Sequence, residues 1–206
     1  FYRTQDAELH YMWIAGWCTI CLFCLYQPFM ELWMGEGMMF PMPVIALFCI
    51  YFYLLMTGDM ITIYSSANGL WWYRRYVSML EITINLVLNF VLGKFLGIYG
   101  IIIATIITIF MCNFIWGIRI HFKHYYQLTR LKEYYYYHLK YFLVTLFLCA
   151  VTYSLCLMLP DCHILGSFLL RMVLCIFLPN IGYVLIYRKS KIYNQSIGNV
   201  RKILVR

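Results

Sequence analysis

Six uninterrupted apolar runs, each about 20 residues long, limit what this chain can fold into. They occupy about residues 11–30, 42–63, 76–95, 98–118, 141–159 and 164–187. A hydrocarbon core about 30 Å thick takes about 20 residues of helix to cross. Within it every backbone N–H and C=O must be bonded inside the segment, so a run of this length forms a helix. Alternating apolar and polar residues would indicate a β-barrel; these runs are continuous. Composition agrees. The chain is 64% hydrophobic and 12% charged, with a mean hydropathy of +0.76, against about 45–50% and about 25% in a soluble domain. A soluble fold of 206 residues would lack the polar surface to cover such a core. The chain therefore reads as an all-α integral membrane protein with six transmembrane helices, and not as a soluble enzyme.

Charge sets the expected orientation. Sixteen Lys and Arg against eight Asp and Glu give a net charge of +8, read as a basic cytoplasmic face rather than a nucleic-acid surface. If the six helices alternate, fourteen of the basic residues share one side: Arg3, Arg74, Arg75, five between Arg119 and Lys140, and six after Tyr187. Lys94 sits in the opposite turn and Arg171 inside the last helix. The bias places both termini in the cytoplasm, with Glu31, Glu36 and Asp161 facing outward. Trp71, Trp72, Tyr73 and Tyr76 around Arg74 and Arg75, and the run Tyr134 to Tyr137 before His138 and Lys140, read as anchors at headgroup depth. Membrane lipids are thus expected partners. The chain opens FYRTQDAELH, without an initiator Met or a signal-peptide pattern, and is read as a fragment of a longer protein.

Polar groups inside a membrane are costly and are the first functional candidates. Glu81, Asn85 and Asn89 stand at i, i+4 and i+8 and so share one stripe of the third helix. That stripe faces protein or water, either as a cavity lining or as glue between helices. Asp59 lies at a similar depth on the second helix, next to Arg74 and Arg75, and suggests a carboxylate–arginine cluster at the inner mouth. Thr105, Thr108, Cys112 and Asn113 recur at helical spacing on the fourth helix, a weaker signal because Thr can bond its own backbone. Arg171 either snorkels outward toward Asp161 or faces an anionic ligand. In GKFLGIYG, Gly93, Gly97 and Gly100 permit a tight turn and close helix approach.

Soluble catalytic signatures are missing: the chain has no HExxH, GxSxG or Walker loop. His121, His124 and His138 read as surface histidines of a basic loop. Of nine cysteines all but Cys162 fall in apolar runs, where a thiol behaves as a small hydrophobe. No metal site, cofactor or disulfide framework is read from them.

At the third and fourth helices the chain resembles the polysaccharide transporter family, the flippases of O-antigen and capsule repeat units. The resemblance rests on Asn68-Gly69 followed by aromatic and basic residues, on Asn85 to Leu88, on the Gly97-to-Gly100 turn, and on Ala104-Thr105. Upstream, QPFMELWMGEGMMFP is similar to the family's P-F-I-x-L-W-x-G-E segment, through Pro28, Phe29, Leu32, Trp33, Gly35 and Glu36. It covers about residues 10–120, and the last two helices by hydropathy only.

The resemblance implies the C-terminal part of a multidrug/oligosaccharidyl-lipid/polysaccharide exporter fold, similar to the multidrug and toxin extruders. Residues 1–118 would end the second lobe, 119–140 form a basic cytoplasmic loop, 141–187 an extra helix pair and 188–206 a basic tail. It also implies a transporter rather than an enzyme. The cargo would be an oligosaccharide on undecaprenyl diphosphate, moved between leaflets of the bacterial cytoplasmic membrane by alternating access. On charge and depth, Arg74 and Arg75 would meet the diphosphate, Glu81, Asn85, Asn89 and Arg171 would contact substrate, and Asp59 or Glu81 would carry a coupling proton or sodium ion. Competing readings are a membrane polymerase or acyltransferase, a non-catalytic anchor, and a drug or cation exporter of the same superfamily.

Overall fold

Proline and glycine mark most of the helix ends. The computed structural model describes residues 2–35, 37, 39–124, 131–159, 164–190 and 193. Helix α1 spans Tyr2–Met34, α2 Met42–Ala67, α3 Trp71–Leu96 and α4 Ile98–Ile109. A π-helical segment, Phe110–Gly117, leads without a break into α5, Ile118–His124. Helices α6, Leu131–Leu157, and α7, Ile164–Tyr187, complete the described elements. Six of the resulting helical rods are long and apolar enough to cross a membrane, with α4, the π segment and α5 counting as one, Ile98–His124.

Pro41 caps α2, where its missing N–H costs nothing. Gly97 alone joins α3 to α4, at φ +59° and ψ −134°, a conformation open in practice only to glycine. Its amide still bonds the Gly93 carbonyl at 2.9 Å. The helices then run back against each other, and a Cβ on Gly100 would collide with the Leu92 carbonyl group. The turn and close approach expected from GKFLGIYG are therefore present.

Several helices outrun their apolar stretches. α1 starts nine residues before residue 11, α3 five before residue 76 and α6 ten before residue 141, and the fourth rod runs six beyond residue 118. Hydropathy marks where lipid ends. A helix whose backbone bonds are internal has no reason to stop there. The 119–140 segment is accordingly helical at 119–124 and 131–140. Arg130, Glu36, Asp161, Cys162 and most of the tail 188–206 lie outside the described residues.

Contacts divide the chain into two units. One comprises Phe1–Phe40 with Tyr141–Arg206, the other Pro41–Lys140. In the first, α1 packs with α7 and with the later turns of α6 around Ile20, Leu148 and Tyr183. Trp13 Nε1 donates to Asn180 Oδ1 at 2.7 Å, and Trp17 Nε1 to the Cys175 carbonyl at 3.0 Å. Thr145 and Tyr183 share a hydroxyl–hydroxyl bond of 2.7 Å beside Gly16.

Two glycines of this unit should respond differently to an added methyl. A Cβ on Gly16 meets the Tyr183 hydroxyl and Thr145 Oγ1, which are held by their mutual bond; one on Gly182 meets only the free end of Leu148. Gly16→Ala is expected to destabilise by about 1–3 kcal/mol, as overpacking does. Gly182→Ala should cost less, because Leu148 can rotate. Thermal unfolding in detergent reads the order, and a reversed order would contradict this account of the packing.

In the second unit α3 packs on α4, and α2 packs on α4 and the π segment. The first turns of α6 add Tyr134, which is buried against Phe122, and Tyr135, whose hydroxyl donates to the Phe114 carbonyl at 2.6 Å. The four tyrosines from Tyr134 to Tyr137 thus do not act alike. A helix spreads four successive residues around its circumference, so Tyr134 turns inward while Tyr136 is 65% exposed.

Candidate functional site: a buried arginine at a π-helical segment

Arg74 lies in the first turn of α3 and is only 4% exposed. A guanidinium has donors and no acceptor, so its neighbours must present oxygens. Nη2 donates to Asn113 Oδ1 at 3.0 Å, and Nη1 lies 3.5 Å from Ser65 Oγ. Ser65 in turn lies 3.2 Å from His121 Nδ1. The charges in electrostatic reach of Arg74 include the carboxylates of Glu81 and Asp59. Four stretches of chain thus meet at one cation: α2 through Ser65 and Asp59, α3 through Glu81, the π segment through Asn113, and α5 through His121.

The π segment carries part of this convergence. Its wider turns bond i to i+5, an arrangement that recurs at functional sites. Asn113, Gly117 and His121 come onto the side that faces Arg74. The guanidinium packs over Gly117, where an added Cβ would lie 3.4 Å from Nη2. Gly58 of α2 gives matching room for the Asn113 side chain, 3.3 Å from where a Cβ would stand.

The adjacent arginines part company. Successive helical residues point about 100° apart, so Arg75 turns outward as Arg74 turns in. Arg75 Cζ lies 3.5 Å from the centroid of the Trp72 ring and 4.5 Å from that of Tyr76. Its Nη2 donates to the Tyr76 hydroxyl at 2.6 Å. Trp71, Trp72 and Tyr76 are all at least 60% exposed, so this cation sits on an open aromatic platform.

Asp59 and Glu81 are brought to Arg74, each half-buried. Asn85 and Asn89 continue the stripe up α3, both half-buried, with Asn89 Nδ2 donating to Asn85 Oδ1 at 2.7 Å. Asn89 Oδ1 is enclosed and has no hydrogen-bond partner among the described residues. Arg171 belongs to the other unit, on α7, half-buried and in electrostatic reach of Cys156. Its suggested partner Asp161 lies outside the described residues. Thr105 and Thr108 bond the carbonyls of Ile101 and Ala104 on their own helix and take no part in the site.

Three members of the site carry no strong sequence signal. Ser65 is one small hydroxyl near a helix end. Asn113 stands out only as an amide in an apolar run. His121 is a correction: it is 1% exposed, not a surface histidine. The apolar Ile118 and Phe122 beside it, both also buried, were the available sign that the rod continues inward past residue 118. His138 is likewise drawn in, its ring 4.3 Å from Tyr134 and edge-on to Phe114 at 5.8 Å. His124 stays exposed, stacked on Tyr73 at 4.0 Å.

Comparison with protein-family models, with curated proteins and with solved structures returns no match to this chain.

Proposed function

We propose that this chain is the C-terminal part of a polysaccharide flippase, which moves an oligosaccharide on undecaprenyl diphosphate from the inner to the outer leaflet of a bacterial cytoplasmic membrane. The observation that carries the reading is the polar face of α3. Arg74, Glu81, Asn85 and Asn89 are all buried or half-buried along a helix long and apolar enough to span a membrane. A polar face in that setting borders a cavity or another protein surface. A sugar passing through a membrane needs such a hydrogen-bonding wall, while its lipid tail stays in hydrocarbon. The opposing wall would come from residues outside this chain.

The two arginines then take different roles. Arg75, half-buried among exposed aromatic side chains, meets the diphosphate at the cytoplasmic entrance, with both ends of the chain on that side. Arg74 holds α2, α3 and the π segment together behind it. Glu81 and Asp59, beside Arg74, are the groups at which a coupling proton or sodium ion would bind. Filling either carboxylate weakens its pull on the arginine, which links ion occupancy to the packing of three elements.

Substitution of Arg75 in the intact gene tests the entrance role. Arg75→Ala removes a cation–aromatic contact worth about 0.5–1 kcal/mol at an exposed site, so the folded protein should accumulate normally. Surface polysaccharide should fall roughly tenfold, the effect of about 1.4 kcal/mol in headgroup binding. Lipid-linked repeat units should build up inside. Normal polysaccharide from Arg75→Ala would overturn the entrance role. Normal polysaccharide after deletion of the gene would overturn the flippase reading and favour a drug or cation exporter.

A further inference from the structure

Within the first unit, three buried cysteines from three helices meet in the core. The Sγ atoms of Cys24 on α1, Cys156 on α6 and Cys175 on α7 all lie within 4.8 Å of one another. Their residues are 5%, 3% and 0% exposed. Cys149, two turns before Cys156 on α6, adds a hydrogen bond to Cys24. Cys21 stands apart, its thiol donating to the Cys175 carbonyl at 3.7 Å. Cys18, Cys21 and Cys24 recur at every third residue in CTICLFC, yet they do not act as a unit. A spacing of three falls short of a full turn, so the thiols drift round the helix, and of the three only Cys24 is fully buried.

We propose that Cys24, Cys156 and Cys175 form a three-sulfur site that binds one copper(I) ion. Metal–thiolate bonds of about 2.3 Å around a trigonal ion place the sulfurs roughly 4 Å apart. The observed separations need only a small contraction to reach that. Soft thiolates in a soft-ligand set select copper(I), zinc or iron–sulfur clusters. Structural zinc and iron–sulfur clusters usually call for four ligands. Cys149 bonds Cys24 yet falls outside the mutually close trio, so the arrangement offers three. Copper(I) is satisfied by three.

Charge and surroundings agree. Ligation displaces thiol protons, and two thiolates with one thiol around copper(I) carry a net charge of −1. Arg171 lies in electrostatic reach of Cys156 and opposes that charge. The trio belongs to the buried apolar cluster of this unit, a dry setting that keeps water and oxidant from the ion. Packing alone would explain one buried thiol at a helix interface. It gives no reason for three thiols from separate helices to face one point. The proposal is independent of the transport reading.

The test uses the full-length protein, purified in detergent without oxygen and offered copper(I) as its bicinchoninate complex. One copper(I) per chain should leave the chelator, and X-ray absorption of the wild-type protein should show a shell of three sulfurs. Cys24→Ser and Cys175→Ser should each weaken binding about a hundredfold or more, while Cys18→Ser should not. No uptake, equal uptake by the triple serine variant, or preference for zinc in a four-sulfur shell would each overturn the site. The sulfur count needs no variant, so a misfolded serine variant does not blunt the test.

Discussion

Arg74→Ala should destabilise the protein by about 2–4 kcal/mol, the cost of removing a buried hydrogen-bonded cation and leaving its partners behind. Asn113 Oδ1 would lose its 3.0 Å donor, and the carboxylates of Glu81 and Asp59 would lose the positive charge they surround. Arg74→Lys should recover only part of this. One ammonium cannot span Asn113 and Ser65 as the planar guanidinium does. The loss should also shrink when Glu81→Gln accompanies Arg74→Ala, because the charge left uncompensated is then smaller. The measurement is the temperature at which half of the detergent-solubilised protein leaves the monodisperse peak. An unchanged midpoint in Arg74→Ala would show that the cluster does not hold α2, α3 and the π segment together.

The second large effect is expected at Gly100. A methyl there collides with the carbonyl group of Leu92 and approaches the amide nitrogen of Gly93 to 2.9 Å, all backbone atoms of the facing helix. Backbone cannot rotate aside as a side chain can, so the α3–α4 hairpin must open. Close approach of small residues is what drives helix pairing in lipid. Gly100→Ala should therefore cost about 3 kcal/mol or more and reduce the folded yield sharply, in the range that marks severe overpacking. Gly93→Ala is the matched control. Its Cβ would meet only the Ile101 side chain, at 3.3 Å, and that chain can give way. Equal melting of the two variants would show that the hairpin is not set by backbone contact.

Together these two sites describe how α3 is held. Arg74 fastens its first turn, and the Gly93–Gly100 contact fastens its last. Between them run Glu81, Asn85 and Asn89, half-buried, with the two amides bonded to each other. A helix held at both ends moves with its neighbours as one body. Under the proposed transport function, its polar middle would stay presented to the cargo as the carrier rocks.

Much of this was legible in the chain. Runs of about 20 apolar residues specify membrane helices because lipid offers the backbone no other partner. Helix starts at residues 42, 98 and 164 follow from proline, glycine and polar flanks, and the spacing of Asn85 and Asn89 foretells their bond. What only the tertiary structure decided is which groups turn inward. Arg74 and Arg75 are indistinguishable neighbours in the chain, yet one is buried and the other lies half-buried against exposed aromatic rings. That difference depends on Asn113, 39 residues away, and on a π-helical turn that no local pattern announces. The cysteines show the same limit: local spacing groups Cys18, Cys21 and Cys24, while packing selects Cys24, Cys156 and Cys175. Periodicity follows from the geometry of one helix. A convergence of side chains depends on how several helices cross, and that is decided by contacts far apart in the sequence.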